Sequence, residues 1–215
     1  MGLEVSFRSI PQEDHKSLTH VVQRLEAGLR QKTIPHSPLG FSNLVTLTSG
    51  DFLLVAEQSD RLLGMARCTP VTFEDHYDFS EKFPRLFSYP PLNGDGTPIK
   101  RIRKNDVVGL RGAPVGEAYL FIPQINSFYN GTGPRMVQHL QQQDEFAGIL
   151  VEAWGKGLDL FCKSGFHDTG LRVDEIDLRP IMVWRRDRKY STPPRNYALP
   201  PLACSSERYL RQNTF

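Results

Sequence analysis

Two glycines one residue apart, Gly131 and Gly133, stand between a strand-like apolar segment and an amphipathic segment that begins near Pro134. Where such a turn opens a helix, backbone N–H groups and the helix dipole can hold phosphate groups, and glycine lets the phosphates approach closely. Proline in the first helical turn costs no hydrogen bond. Taken alone, the pattern favours a tight strand-to-helix turn without a ligand, and a phosphate-binding turn is the alternative.

A second segment, Leu160-Phe161-Cys162-Lys163-Ser164-Gly165-Phe166, comes later in the chain. A predicted helix and a continuous apolar strand at residues 146–152 separate it from the glycine turn. Its Gly-Phe pair also fits the glycine C-cap of an amphipathic helix. The order and spacing of the two segments argue against a chance combination.

The elements that must position these residues alternate between strand and helix patterns. Residues 3–8 predict a strand, and Ser9, Pro11 and Gln12 predict a helix start of capping-box type. Apolar residues at helical spacing continue this helix. They are Leu18, Val21, Val22, Leu25 and Leu29.

The rest of the core is predicted to contain further strands and two more helices. Two apolar runs around Gln58-Ser59-Asp60-Arg61 predict a β-hairpin. The predicted segments are strands at 52–57, 62–68, 117–124, 146–152 and 180–185, a helix from Pro134 and a short helix at about 155–163. This alternation is typical of an α/β fold.

Taken in order, the hairpin, the strand that runs into Asn130-Gly131-Thr132-Gly133 and the Leu160–Phe166 segment resemble the GNAT acetyltransferases. The resemblance implies a mixed, mostly antiparallel central sheet flanked by helices, with a long insertion before the fourth strand. It also implies acetyl-CoA or another acyl-CoA as co-substrate, its pyrophosphate held at the turn. The cofactor-binding residues that it implies are Phe121, Ile122, Pro123, Phe128, Tyr129, Asn130, Gly131, Thr132, Gly133 and Pro134.

The same resemblance, to the histone-acetylating branch, places a general base on Glu117. An acceptor amine must lose a proton to attack a thioester, and a carboxylate can accept that proton. The alternative is a solvated glutamate at the edge of a strand.

Four residues depart from the family pattern. Phe161 replaces a tyrosine that protonates the departing thiolate, and a phenyl ring has no proton to give. Pro123 lacks the N–H that binds the pantetheine arm, Phe128 replaces the polar residue that opens the turn, and Trp154 replaces an asparagine. The alternative proton donors are water, Cys162, Tyr129 and His167; a thiolate that leaves unprotonated is a further alternative.

Composition and charge limit the partners. The 215 residues include 26 Lys and Arg and 24 Asp and Glu, a net charge of +2 that is too small to steer the molecule towards nucleic acid or a membrane. The sequence has neither a secretory-type segment nor an apolar run long enough to span a bilayer, so a cytoplasmic protein is expected. Its cysteines and histidines lack metal-ligand spacing, and no metal is predicted.

We expect one GNAT-like domain over residues 1–190, with an insertion at about 71–116 and a C-terminal tail at 191–215. A basic cluster in the insertion could receive an acidic substrate or the 3′-phosphate of coenzyme A, and an aromatic cluster could roof an acceptor pocket. Both also fit ordinary solvated or packed loops. The basic residues are Lys100, Arg101, Arg103, Lys104 and Arg111, and the aromatic ones are Phe73, Tyr77, Phe79, Phe83, Phe87 and Tyr89.

The resemblance therefore implies an acyl-CoA-dependent N-acyltransferase that acts on a small-molecule amine by direct transfer, as a monomer or homodimer. Two alternatives stay open, since a fold does not fix a function. One is a biosynthetic enzyme of the same fold that acts on a hydrophobic small molecule without coenzyme A. The other is a non-catalytic binding module.

Overall fold

A computed structural model describes residues 4–34, 46–72, 109–110, 112, 116–173 and 179–187. These residues contain seven strands and three helices, which confirms the predicted α/β class. The strands are β1 (Ser6–Pro11), β2 (Phe52–Gln58), β3 (Arg61–Thr72), β4 (Ala118–Ser127), β5 (Gly148–Glu152), β6 (His167–Val173) and β7 (Arg179–Arg185), and the helices are α1 (His15–Arg30), α2 (Thr132–Gln141) and α3 (Lys156–Lys163).

The strands are hydrogen-bonded in the order β1-β2-β3-β4-β5-β7-β6. The pairs β1/β2, β2/β3, β5/β7 and β6/β7 are antiparallel, as the predicted sheet requires. The chain divides into two compact units, one up to Pro70 together with Ile122–Gln143, the other Val71–Phe121 together with the residues from Asp144 onward. The predicted bounds of a single domain stay a prediction.

The first unit is built on the predicted β2–β3 hairpin. Its register pairs Gln58 with Arg61, so the loop between the strands has two residues. On one face of the hairpin, α1 buries Val21 and Leu25 against Leu53 and other apolar strand residues. The helical spacing in the sequence thus identifies the face of α1 that covers the core.

Gly64 of β3 allows α2 to approach the sheet closely. A Cβ atom at Gly64 would lie 2.7 Å from Sδ of Met136, 3.1 Å from Cγ2 of Thr132 and 2.8 Å from the carbonyl oxygen of Asn126. Close packing of this kind leaves no room for even one methyl group. The contact fixes the start of α2 against β3.

The predicted start of α1 is wrong. Residues 6–11, rather than 3–8, form β1, in which Pro11 is the last residue, opposite Phe52. Proline is tolerated there because β1 lies at the edge of the sheet. The helix begins four residues after Pro11, at His15, and Asp14 caps it by accepting a hydrogen bond from the Ser17 N–H at 3.0 Å.

In the second unit, β5 is the buried strand that the sequence predicts, with Ile149, Leu150 and Val151 wholly inaccessible. The strand β6 was not predicted. It buries a charged pair, in which Arg172 Nη1 donates to Asp168 Oδ1 and Nη2 to Oδ2, each at 2.8 Å. Because each charge compensates the other, a polar sequence can form this strand.

Most of the predicted insertion and the predicted C-terminal tail lie outside the described residues. So do the basic cluster and the aromatic cluster of the insertion. Within the described part of the chain, no helix is long and apolar enough to cross a membrane.

Candidate functional site

The glycine turn between β4 and α2 is the part of the first unit in which predicted site residues come together. Gly131 is the N-cap of α2, with φ 81° and ψ −8°, a left-handed conformation that glycine adopts without strain. No side chain caps the helix from this position. A Cβ atom at Gly131 would have no atom within 4 Å, so the space beside the turn is open.

Ser127, the last residue of β4, connects the two sides of the turn. Its Oγ donates to the carbonyl oxygen of Tyr129 at 2.8 Å and accepts from the N–H of Gly133 at 3.2 Å. The N–H of Thr132 also donates to the carbonyl of Tyr129, at 3.2 Å. Sequence reasoning missed Ser127, although a serine whose hydroxyl bonds the backbone two residues on is a known turn signal.

Two backbone N–H groups of the turn, those of Asn130 and Gly131, have no hydrogen-bond partner among the described residues. Both residues are exposed. The first turn of α2 carries no acidic residue, so nothing there repels an anion from the positive end of the helix dipole. These features fit a phosphate group, and its binding by Asn130, Gly131 and Gly133 stays a prediction.

Phe128 and Tyr129 hold the turn to the rest of the unit. The N–H of Phe128 donates to the carbonyl of Leu63 at 2.9 Å, and its ring is 3% exposed in the core. The Tyr129 hydroxyl donates to the carbonyl of Thr33. The guanidinium of Arg61 lies 3.9 Å from the centroid of the Tyr129 ring, a cation–π geometry. Phe128 thus offers a ligand neither its ring nor its N–H.

The remaining predicted cofactor residues lie on β4 or at the start of α2. Phe121 and Ile122 are buried, so their side chains pack within the fold. Pro123 is half-buried and Pro134 is exposed. Thr132 packs against Gly64, with its Cγ2 atom 3.1 Å from the position that a Cβ atom at Gly64 would take. Their contacts with a cofactor stay a prediction.

Glu117 directly precedes β4 and is half-buried. It belongs to the second compact unit, whereas the glycine turn belongs to the first. Its role as general base therefore stays a prediction.

The alternative proton donors are constrained by the structure. Cys162 is disulfide-bonded and has no thiol proton. The hydroxyl proton of Tyr129 is engaged by the Thr33 carbonyl. His167, the first residue of β6, is exposed. A proton-donating role for His167 or for water stays a prediction.

The Leu160–Phe166 segment forms the glycine C-cap that the sequence also allows. The N–H of Phe166 donates to the carbonyl of Phe161 at 3.0 Å, and that of Gly165, at φ 83°, to the carbonyl of Cys162 at 3.1 Å. The two phenyl rings pack with centroids 5.2 Å apart. This is a Schellman motif with its hydrophobic contact, so the segment needs no ligand to explain it.

Trp154, at 50% exposure, follows β5. The guanidinium of Arg179 lies 5.6 Å from its ring centroid and also donates to Glu152 Oε1 at 2.8 Å. As for metals, the part of the chain that is described holds no group of three or more His, Cys, Asp and Glu residues suited to an ion.

The sequence matches no protein-family profile and no curated protein. Several solved structures are similar to it. N-acetyltransferase PseH of Campylobacter jejuni is 8% identical, with 86% of this chain and 99% of that chain covered and a TM-score of 0.40. An aminoglycoside N(6′)acetyltransferase of Legionella pneumophila is 10% identical, with 86% and 94% covered and a TM-score of 0.45. The AHL synthase LasI is 13% identical, with 85% and 89% covered and a TM-score of 0.43.

Acetyltransferases are found among the similar structures.

Proposed function

We propose that the protein is an acyl-CoA-dependent N-acyltransferase that acts on a small-molecule amine. The observation that carries the proposal is the turn at Asn130 and Gly131, whose two N–H groups have no partner in the described part of the chain and which has open space beside Gly131 at the start of α2. Backbone donors at a helix N-terminus favour a phosphate group. In this proposal the pyrophosphate of coenzyme A binds there.

Arg61 supports the same assignment. Its guanidinium is exposed, forms no ion pair with a described carboxylate, and lies over Tyr129, whose backbone enters the turn. Guanidinium groups bind phosphates through two parallel hydrogen bonds. Arg61 is therefore a second source of positive charge for the cofactor.

The chemistry that we propose is direct transfer without a covalent enzyme intermediate. The amine nitrogen of the acceptor forms a bond to the thioester carbonyl carbon, and the carbon–sulfur bond breaks. Glu117 takes the proton that the amine loses. Since Phe161 is buried and has no acidic proton to donate, the thiolate takes a proton from water. Holding the two reactants together supplies much of the rate.

An assay of thiol release from acetyl-CoA over a panel of small amines tests this function. We expect Glu117→Gln to lower the rate with the best amine by about 10²-fold or more, the usual contribution of a general base. Glu145→Gln is the matched control, because Glu145 is exposed on the loop before β5. Turnover that Glu117→Gln leaves intact would remove Glu117 from the proposal, and bound acetyl-CoA without any turnover would favour a binding module.

The alternative of an enzyme that acts on a hydrophobic molecule without coenzyme A rests in part on Phe128 and Phe161 as lining residues of an apolar pocket. Phe128 and Phe161 are 3% and 2% exposed, so they pack in the fold and are not available to line a pocket. Trp154 remains as an exposed aromatic group. Binding of an apolar ligand that quenches tryptophan fluorescence, with no acetyl-CoA binding, would favour this alternative.

A further inference from the structure

We infer that Ser127 is a positioning residue that shapes the glycine turn for a phosphate group. The inference rests on the proposed function, because it concerns the same turn. Ser127 touches no phosphate in this account. It acts through the backbone of Tyr129 and Gly133.

The hydroxyl of Ser127 both donates and accepts a hydrogen bond. As a donor it fixes the carbonyl of Tyr129, at 2.8 Å, and as an acceptor it fixes the N–H of Gly133, at 3.2 Å. These two groups flank Asn130 and Gly131, so the hydrogen bonds of one side chain enclose the N–H groups of both residues. A hydroxyl can form both hydrogen bonds because it carries one proton and two lone pairs.

The hydrogen bonds of Ser127 help to decide which N–H groups are left for a ligand. Gly131, as N-cap, has no side chain with which to satisfy the helix, and Ser127 supplies an acceptor to the N–H of Gly133 instead. Thr132 is engaged with the Tyr129 carbonyl at 3.2 Å, and Pro134 has no N–H. Among the residues that the structure describes, none accepts a hydrogen bond from the N–H of Asn130 or of Gly131.

A preorganised pair of donors binds an anion more tightly than a flexible pair, because the ordering cost is met during folding. Without the hydroxyl, the turn would sample other orientations of Asn130 and Gly131. Loss of the hydrogen bonds of the Ser127 hydroxyl should raise the dissociation constant about tenfold.

Titration calorimetry with acetyl-CoA, on the full chain, tests the inference. We expect Ser127→Ala to bind about tenfold more weakly than the wild type, and Ser127→Thr, which keeps the hydroxyl, to restore the affinity. Ser6→Ala is the control, since Ser6 Oγ also donates to a backbone carbonyl in the same unit, that of Glu57 at 3.3 Å. It should bind as the wild type does.

Hydrogen exchange of the Gly133 amide, followed by NMR, gives a readout without ligand. We expect faster exchange in Ser127→Ala and wild-type exchange in Ser127→Thr. If acetyl-CoA binds the wild type and Ser127→Ala equally, or binds Ser127→Ala more tightly, the inference is wrong and the proposed function stands. If acetyl-CoA does not bind the wild type, the proposed function is wrong, and the inference is overturned with it even where Gly133 is protected.

Discussion

Arg61 and Tyr129 are joined by a cation–π contact, with the guanidinium 3.9 Å from the ring centroid. Tyr129 precedes Gly131 by two residues, so the contact holds a positive charge beside the candidate phosphate turn. We expect Arg61→Gln to weaken acetyl-CoA binding by about three- to tenfold at low salt, because one phosphate contact would be lost. The difference should shrink at high salt, since exposed charges are screened.

Calorimetry at two salt concentrations measures this effect. Lys16→Gln removes the same charge from an exposed position in the first turn of α1 and serves as the control. An equal loss of affinity in both variants would show a general effect of net charge, and Arg61 would then have no particular role.

The close contact between Gly64 and α2 predicts a large effect of one methyl group on stability. In Gly64→Ala the new Cβ would meet the backbone oxygen of Asn126 at 2.8 Å, an atom that cannot rotate away. We expect the free energy of unfolding to fall by about 1–3 kcal/mol, the usual cost of overpacking. Chemical denaturation measures it.

Gly157→Ala is the matched control for this variant. A Cβ atom at Gly157 would lie 3.6 Å from Phe161, an ordinary contact distance, within α3. Alanine favours the helix over glycine, so no loss of stability is expected. Equal stability of Gly64→Ala and the wild type would show that α2 is free to shift away from β3.

The sequence allows the hairpin, the buried strand β5 and the glycine turn to be predicted, because local patterns determine them. It does not allow the start of α1 to be predicted. Ser9, Pro11 and Gln12 fit a helix start of capping-box type, but pairing with β2, in which Ile10 lies opposite Leu53, keeps Ser9 and Pro11 in β1. Such a long-range contact leaves no local signal.

Two other features depend on the geometry of the folded backbone. The strand β6 escapes prediction because its charges are compensated only when Asp168 and Arg172 meet across an irregular stretch. Ser127 escapes because its role lies in two backbone hydrogen bonds. Phe128 is predicted as a ligand contact from its place in a motif, yet the core of the first unit buries it.

His139 predicts a dependence of stability on pH. Its ring stacks on Phe7 with centroids 4.4 Å apart, and desolvation lowers the pKa of His139 below the ordinary value of 6.5. A histidine whose pKa is lower in the folded state stabilises the fold fully above pH 6.5. That contribution decreases as the pH falls from 6.5 through the lower folded-state pKa, because the unfolded chain binds the proton first.

Urea denaturation of the wild type and of His139→Gln, at several pH values on both sides of 6.5, measures this dependence. Glutamine does not titrate, so the variant should lose less stability than the wild type as the pH falls. Parallel pH profiles for the two proteins would show that His139 does not titrate differently in the folded state.

The binding of acetyl-CoA at the glycine turn is the central claim, and calorimetric titration of Gly131→Glu tests it most directly. The new carboxylate would enter the open space beside the N–H groups of Asn130 and Gly131 and repel phosphate. Gly50→Glu is the matched control, because Gly50 has φ 86° and equally open surroundings, so backbone strain and added charge are the same. We predict saturable binding to the wild type and to Gly50→Glu, and none to Gly131→Glu. Absence of binding to the wild type at millimolar acetyl-CoA, or undiminished binding to Gly131→Glu, would contradict the account.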